Sequence, residues 1–571
     1  MYISMDKKVQ ELRKQEPLNR IPAKKIDAVR YISFNVNSIK TLFNYHPWNL
    51  LTNGVDGLLS CMDGDIISLQ ELKVQPNGLQ LVGVLNRYRA FVLVPKSKKG
   101  YSGVGLYVRI PEELDLPQVK QNLTVIKAEE GITGTLVDAS SHKSYRDTTN
   151  SIGGYLSDAD LSALDIDTVE LSELDTEGRC SVIELANETV VFSLYCPANS
   201  TQTVDGQLFR IRFLQVLLKR CENLKALGKK VVIMGDINVS PDLIDNAEAI
   251  NLLTKEKIIQ NNIRDGGSEF EKTNLEVCIM FRSDATHRAL LNQYLKPTLE
   301  GAPGLDSQFL YDTTRYYKKR QTSLYTVWNT QTNSRQSNYG SRIDLILVSN
   351  PEQIESVSNA DILPYLYGSD HCPIFTDFDV SGENFCSIDL PKKLPFEAKN
   401  YFKLVGHRDI SSLFSALSSK RGLPSQAIPD DVNKEKRKKT EQAPKLTYTS
   451  RKSSTKPQQN IGAFFVSKRE PSPREPKFTK SSSQFNSQES DSEGHKINSI
   501  QSIAAILYSD PPLCLHGEPT ILKTSYTPST KGKKFWCCGR NSRGSATELG
   551  QHRCNFFSWA TKKTSLQEGS S

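Results

Sequence analysis

An α/β fold is predicted for residues 29–394 from three observations. Short apolar runs, such as Ile66-Ile67 and Val231-Val232-Ile233-Met234, stop on polar residues in the manner of buried strands. Amphipathic segments separate these runs. The clearest lies between Gln207 and Leu227, where Leu208, Ile211, Leu214, Leu217, Leu218, Cys221, Leu224 and Leu227 recur at three- and four-residue spacing before Gly228 supplies a stop. Finally, side chains with acid, base or amide chemistry stand where the runs end, which is where α/β proteins gather their sites.

Taken in order, residues 1–28 mix Lys and Arg with Asp6, Glu11 and Glu16 around no apolar segment, so a flexible, solvated arm is expected and neither a secretory nor a mitochondrial leader. Residues 138–176, with Gly153-Gly154 and many Ser and Asp, read as an inserted acidic loop, and residues 262–325 as a second polar excursion. From 395 to 505 the composition turns to Ser, Lys, Pro and Gln; such a segment buries too little apolar surface to offset its ordering entropy, and a disordered basic linker is expected. A compact unit resumes at 506–563, followed by a tail, 564–571. A chain of 571 residues exceeds what one core organises, and no apolar run approaches the roughly 18 residues of a membrane span.

The net charge of +8 is unevenly placed: residues 431–480 carry 14 Lys and Arg against 5 Asp and Glu, and residues 511–563 carry 9 against 2. A basic C-terminal quarter fits a phosphate-rich partner bound largely through counterion release. Of 11 cysteines, seven are scattered (Cys61, Cys180, Cys196, Cys221, Cys278, Cys372, Cys386) and read as small core residues, whereas the remaining four cluster near the C-terminus and read as a metal site.

Five polar-ended segments carry the chemistry: Tyr31-Ile-Ser-Phe-Asn35-Val-Asn37, Ile66-Ile-Ser-Leu-Gln-Glu71-Leu-Lys73, Ser193-Leu-Tyr195-Cys-Pro-Ala-Asn199, Gly235-Asp236-Ile-Asn238, and Ser341-Arg342-Ile-Asp344 followed by Gly368-Ser-Asp370-His371-Cys-Pro373. In this order, with Asp175-Thr-Glu177-Gly178-Arg179, they resemble the exonuclease III branch of the endonuclease/exonuclease/phosphatase superfamily. The resemblance implies a two-sheet α/β sandwich and a metal-dependent nuclease that incises 5′ to abasic sites and trims 3′ ends, as phosphodiesterase and 3′→5′ exonuclease. Damaged double-stranded DNA and 3′ ends would be its substrates, and the chain would act in the nucleus as a monomer.

Water attack on a phosphodiester needs a hard cation, a base and fixed donors. Glu71 and Asp370 offer oxygen ligands for Mg²⁺ (or Mn²⁺), and Asn37 a neutral one. Asp236 is assigned to orienting and deprotonating the water, and Asn238 to fixing water or phosphate. His371, its tautomer set by Asp344, would donate to the scissile phosphate. Tyr195 and Asn35 complete the donors; alternatively Asp236, Asn238 and His371 hold a second ion. Asn199, Arg179 and Trp328 are expected to contact phosphate or DNA. Two departures from the family pattern stand out. Asn37 occupies a position where many members have Asp, and the small residues Val327 and Ser341 replace large aromatics around the flipped sugar. A less tightly walled pocket discriminates less, so strong exonuclease and 3′-phosphodiesterase action is expected beside incision.

Within the linker, Gln458, Ile461, Phe464 and Phe465 match the spacing by which tails dock on the sliding clamp PCNA, and Lys434-Glu-Lys-Arg-Lys-Lys439 reads as a nuclear-import patch. At the C-terminus, Cys514, His516, Cys538 and Cys554 suit a closed Zn²⁺ site, with Cys537 and His552 as rival ligands. The surrounding Gly532-Lys-Lys-Phe-Trp-Cys-Cys538 and Cys554-Asn-Phe-Phe-Ser-Trp559 resemble the GRF-type zinc finger, and Lys533 and Lys534 among aromatics suggest binding of single-stranded DNA. Body, tail and finger together resemble the fungal members of the second type of eukaryotic abasic-site endonuclease. Two other readings compete. A non-catalytic scaffold on PCNA is disfavoured by the intact carboxylates, and a phosphodiesterase acting on RNA, inositol or sphingolipid phosphates by the clamp motif and finger.

Overall fold

The computed structural model describes residues 2–95, 100, 102–139, 141–199, 203–263, 267–384, 394, 396–404, 511–524, 530, 533–540 and 553–560. The clamp-docking motif, the import patch, most of the expected linker and His552 lie outside the described residues.

Two six-stranded sheets face each other. The first is built from β1 (Ala28–Asn35), β2 (Ile66–Gln70), β3 (Tyr88–Leu93), β4 (Val104–Arg109), β13 (Val357–Ile362) and β14 (Ile374–Asp379), in the order β13-β14-β1-β2-β4-β3. The second holds β5 (Val125–Glu130), β6 (Cys180–Leu185), β7 (Thr189–Tyr195), β8 (Lys230–Asp236), β9 (Tyr311–Asp312) and β12 (Asp344–Val348), in the order β5-β6-β7-β8-β12-β9. A two-stranded ribbon, β10 (Val327–Trp328) with β11 (Gly340–Ser341), stands apart from both sheets.

The central strands are buried along their whole length, which accounts for their continuous apolar runs. Alternate residues serve different layers. Val29 and Tyr31 join Ile66, Val191, Val232, Met234 and Ile346 between the sheets, while Ile32, Phe34, Ile67 and Leu69 turn outward to meet Leu58, Leu59 and Met62 of the helix Gly54–Met62. Polar contacts also cross the interface: the hydroxyls of Ser68 and Ser193 lie 2.5 Å apart, and those of Thr313 and Thr376 2.7 Å. No helix among the described residues is long and apolar enough to cross a membrane.

The amphipathic segment is the helix Val204–Ala226, capped by the Thr203 hydroxyl, which accepts from Gly206 N, and stopped at Gly228, whose φ is 81°. Its packed stripe differs from the expected one at both ends. Leu208 and Leu227 are exposed, while Arg210 and Arg220 are buried. Arg220 pairs with Glu129 at 2.8 Å and donates to the carbonyls of Gly153 and Ile132, so a cation secures the segment that follows β5.

Four expectations of loose or polar structure are corrected. The N-terminal arm contains a helix, Tyr2–Arg13, whose Val9 and Leu12, three residues apart on one face, are buried against the first sheet's outer layer, and Leu18 and Ile21 beyond the helix are buried with them. The acidic insertion folds into helices Asp158–Leu164 and Thr168–Glu173, each opened by a capping box. Ile152, Leu156, Leu161, Ile166, Leu171 and Leu174 from this insertion enter the core over the second sheet. The excursion at 262–325 contains helices whose Phe270, Cys278 and Phe281 pack with Leu243, Ile250 and Leu253. Finally, the body continues past 394: Phe396 and Ala398 are buried, and the Phe396 ring stands 5.4 Å from that of Tyr401.

Candidate active site

The two sheets bring their functional ends to one edge. β1 and β2 run parallel with Asn35 opposite Gln70, so Asn35 and Glu71 emerge together; β7 and β8 run parallel with Tyr195 opposite Asp236. The antiparallel strands supply their beginnings at the same edge: Asp344 opens β12 opposite Asp236, and His371 lies three residues before β14. Gly235 permits the closeness of β7 and β8, since a Cβ there would stand 2.0 Å from the Leu194 carbonyl oxygen. Gly368 starts the His371 loop at φ 117°, where a Cβ would meet Leu42 at 2.7 Å.

The side chains form a connected chain of contacts. Asp344 Oδ2 lies 2.9 Å from His371 Nδ1, and His371 Nε2 is 3.9 Å from Asp236 Oδ2. Asn35 Nδ2 donates both to Asp236 Oδ2 at 3.0 Å and to Glu71 Oε1 at 2.9 Å. Lys73 Nζ reaches Glu71 Oε2 at 2.9 Å and Asn37 Oδ1 at 2.6 Å, and Asn37 Nδ2 donates to Asp370 Oδ1 at 3.0 Å. The Ser369 hydroxyl donates to Asn35 O at 2.8 Å. Asn238 hangs from this frame: its N–H donates to Asp236 Oδ1 and its amide to Cys196 O.

Several of these residues hold left-handed backbone, namely Asn37 (φ 42°), Glu71 (52°), Lys73 (49°) and Asn238 (57°). Asn tolerates that region; Glu and Lys do so at a cost on the order of 1 kcal/mol or more. Glu71 is held there by its carboxylate partners and by its carbonyl, which accepts from Ser38 N at 2.8 Å.

Electrostatics separate the carboxylates. Burial works to raise Glu71, but the Lys73 ammonium and the Asn35 amide outweigh it and hold the group below its usual range, so Glu71 is ionised. Burial, with Asp344 and Glu71 nearby, pushes Asp236 up against the pull of His371 and Asn35. Burial would lower His371, yet Asp344, Asp236 and Asp370 raise it to about 10. Three acids facing one imidazole thus keep a proton inside the site at neutral pH.

Among the described residues, the ligand atoms of Asp236, Asp344 and His371 lie within 4.8 Å of one another. Glu71 and Asp370 are linked through Lys73 and Asn37, and the Lys73 ammonium touches the same Glu71 and Asn37 groups that a cation would engage. Carboxylate, amide and imidazole donors are a hard set and fit a Mg²⁺-type ion.

Three expected contacts stand elsewhere. Arg179 is 4% exposed; it stacks 4.8 Å from the Tyr195 ring centroid and pairs with Glu177, so it supports Tyr195 from behind. Trp328 is 3% exposed, its Nε1 donates to Asn338 Oδ1, and Arg335 covers its ring, which leaves no face for DNA. Asn199 turns its amide onto Thr203 O and Gln207 at the start of the long helix. Conversely, the structure gives roles to Lys73 and Ser369, to which the sequence assigns none; the i, i+2 spacing of Lys73 from Glu71 is the signal that points to the first.

The C-terminal unit is a three-stranded sheet of β15 (Ile521–Thr524), β16 (Lys534–Cys537) and β17 (Phe557–Trp559). The ligand atoms of Cys514, His516, Cys538 and Cys554 all lie within 4.8 Å of one another, with His516 Nδ1 at 3.6 Å from Cys514 Sγ and 3.5 Å from Cys538 Sγ. A tetrahedron with metal–sulfur bonds of about 2.3 Å has edges of about 3.5–3.8 Å, so these donors fit Zn²⁺. Cys538, not Cys537, belongs to the group. Phe557 and Trp559 are 53% and 44% exposed, pack at 5.0 Å, and have Lys533 Nζ 5.9 Å from the Trp559 ring.

Residues 32–371 match the Endonuclease/Exonuclease/phosphatase family, and residues 512–563 the GRF zinc finger. The chain is 36% identical over 551 residues to DNA-(apurinic or apyrimidinic site) endonuclease 2 of Saccharomyces cerevisiae, covering 94% of this chain and 98% of that one. It is 28% identical to the Xenopus laevis protein of the same name, covering 95% and 100%. The crystal structure of the Xenopus laevis APE2 catalytic domain aligns at 25% identity over 66% of this chain and 99% of that one, with a TM-score of 0.48. The two facing sheets, the acid–amide–imidazole edge between them and a match that spans most of the body show that the chain belongs to the endonuclease/exonuclease/phosphatase family, with a GRF zinc finger at its C-terminal end.

Proposed function

We propose that this chain is a nuclear DNA-repair nuclease, cutting 5′ to abasic sites and removing 3′-blocking groups and nucleotides at one centre. The observation that carries the proposal is the continuous run of contacts from Asp344 through His371, Asp236, Asn35, Glu71, Lys73 and Asn37 to Asp370, which offers a base, a proton donor and hard oxygen ligands at one edge.

In the mechanism, Asp236 accepts the proton of the attacking water while Asn238 orients that water or the phosphate. The water oxygen bonds to phosphorus, the bond from phosphorus to the 3′ oxygen breaks with its electron pair on that oxygen, which takes up a proton from solvent water, and the products carry a 3′-hydroxyl and a 5′-phosphate. His371, protonated and oriented by Asp344, donates to the phosphoryl oxygen as charge builds there. Tyr195, braced by Arg179, adds a donor from the opposite sheet. A Mg²⁺ or Mn²⁺ ion held by Glu71 and Asp370 with Asn37 would supply charge neutralisation at the phosphoryl and leaving oxygens. Asp236, Asn238 and His371 form the alternative ligand set.

Relaxed selectivity follows from the ribbon: Val327 and Ser341 face each other across β10 and β11, so both small residues lie in one wall. The finger's exposed Phe557 and Trp559 beside Lys533 favour single-stranded DNA, with Lys534 on the same strand system, and Gln458, Ile461, Phe464 and Phe465 would tether the enzyme to PCNA. One chain suffices for the site, and a monomer is expected.

The test is a pair of variants, Asp236→Asn and His371→Ala, assayed on abasic duplex and on recessed 3′ ends. Both activities should disappear together. Retention of either near the wild-type rate would overturn the single-centre reading.

A further inference from the structure

The Asp370-His371 segment is held on both sides. On one, it borders the ribbon: Trp328 N donates to Asp370 O at 3.0 Å, and Cys372 N to Thr326 O at 2.9 Å. On the other, no strand among the described residues pairs with it. The carbonyls of Ser369 and His371, two residues apart and so turned the same way, both accept from Arg335 Nη1, at 2.9 and 3.3 Å. Arg335 Nη2 donates to the carbonyls of Pro364 and Leu366 at 3.0 and 2.8 Å, which fixes the turn leading into the segment.

The guanidinium is clamped. Its carbon lies 4.5 Å from the Trp328 ring centroid and 4.6 Å from that of Tyr367. Among the described residues no carboxylate pairs with it; Nη1 and Nη2 are satisfied by carbonyls and its faces by the two aromatic rings, while its Nε has no hydrogen-bond partner. A planar fork can serve two pairs of carbonyls at once, whereas an ammonium on a flexible stem cannot hold that geometry.

We propose that Arg335 is a positioning residue for the catalytic step, acting as a substitute strand that fixes the Asp370-His371 segment against the ribbon and thereby sets where both side chains point. With the Ser369 and His371 carbonyls held outward, the Asp370 side chain faces Asn37 and the His371 ring faces Asp344 and Asp236. Arg335 touches no reacting atom, so its loss should lower turnover more than DNA binding. The inference rests on the active-site reading above.

Arg335→Ala and Arg335→Lys of the full chain would be assayed with Mg²⁺ on abasic duplex. Misplacing a reacting group by about 1 Å costs on the order of 100-fold, so kcat of the Ala variant should fall at least about tenfold with KM within about threefold of wild type. The Lys variant should fall less. Millimolar guanidinium should restore part of the Ala variant's kcat, and equal urea should not. If Arg335→Ala does not fold, the Lys variant and its KM-against-kcat split carry the test. Hydrogen exchange at residues 364–372, faster in either variant while the sheets stay protected, reads the positioning even if the wild type cuts no abasic duplex, an outcome that would instead overturn the proposed function. A kcat within threefold of wild type in both variants, or a raised KM at unchanged kcat, would overturn the inference, the latter by making Arg335 a DNA contact.

Discussion

Replacing Asp344 by Asn removes one charge from a buried pair at almost constant shape. The carboxylate meets His371 Nδ1 at 2.9 Å through Oδ2, and its Oδ1 has no hydrogen-bond partner, so the imidazole is its main source of compensation. Unit charges about 4 Å apart at an effective dielectric of about 20 interact by ~4 kcal/mol, which is about three pH units at ~1.4 kcal/mol each. His371, now raised to about 10, should therefore titrate near or below neutrality in Asp344→Asn. The folded-state value of the wild type stands above that of a free imidazole. The pair's stabilising contribution is accordingly complete below about pH 6.5 and is lost as pH rises through about 10. The variant should lack that loss. Turnover at neutral pH should fall about 100-fold, because a positioned general acid contributes roughly 10²–10⁴. Nitrogen-detected NMR of the His371 ring in metal-free protein measures the titration, and cleavage of abasic duplex with Mg²⁺ measures the rate. A shift of His371 smaller than one pH unit, or cleavage within threefold of wild type, would refute the reasoning.

Two further outcomes test other parts of the molecule. Arg220→Ala strips the partner from buried Glu129 and the donor from the Gly153 and Ile132 carbonyls; it should cost about 3–5 kcal/mol of stability, read as a lowered chemical-denaturation midpoint, with the acidic insertion the first part to lose protease resistance. Cys554→Ser should release one zinc equivalent, counted by metal analysis, and weaken binding of single-stranded DNA, yet leave cleavage of a minimal abasic duplex within about twofold, since none of the body's donors lies in that unit.

Much of the site was legible because its chemistry is concentrated at strand ends. Glu71, Asp236, Asp344 and His371 follow or precede apolar runs, and the registers of β1 with β2 and of β7 with β8 bring those ends together. What was not legible shares a physical cause. Long cations look like solvated charge in sequence, yet Arg335, Arg220 and Lys73 carry interior jobs, and Arg179 lies behind Tyr195 where DNA was expected. Trp328 read as a DNA platform because exposed and buried tryptophans are identical in sequence; Arg335 covers it. The insertion's Ile152, Leu156 and Leu161 were masked by the acids between them, although Ser157 and Asp167 with their partners three residues on were readable capping boxes. In the finger, adjacent Cys537 and Cys538 are told apart by geometry, which places only Cys538 with the other three ligands.

The pairing of β1 with β14 sets a condition on how the enzyme comes to exist. Arg30 in β1 finds its carboxylate partner in Asp377, 347 positions later, and Ala28 through Ser33 lie against Asp379 through Ile374. During synthesis the first strand therefore waits, with one edge unpaired, while almost the whole body is made. His371, which completes the acid–imidazole edge, arrives only with that closing strand. The nascent chain cannot assemble its cutting centre piecemeal, and an emerging nuclease is inert until its last major strand is in place. The same delay leaves an apolar strand edge open for longest, which makes the interval before β14 emerges the period of greatest exposure to mispairing.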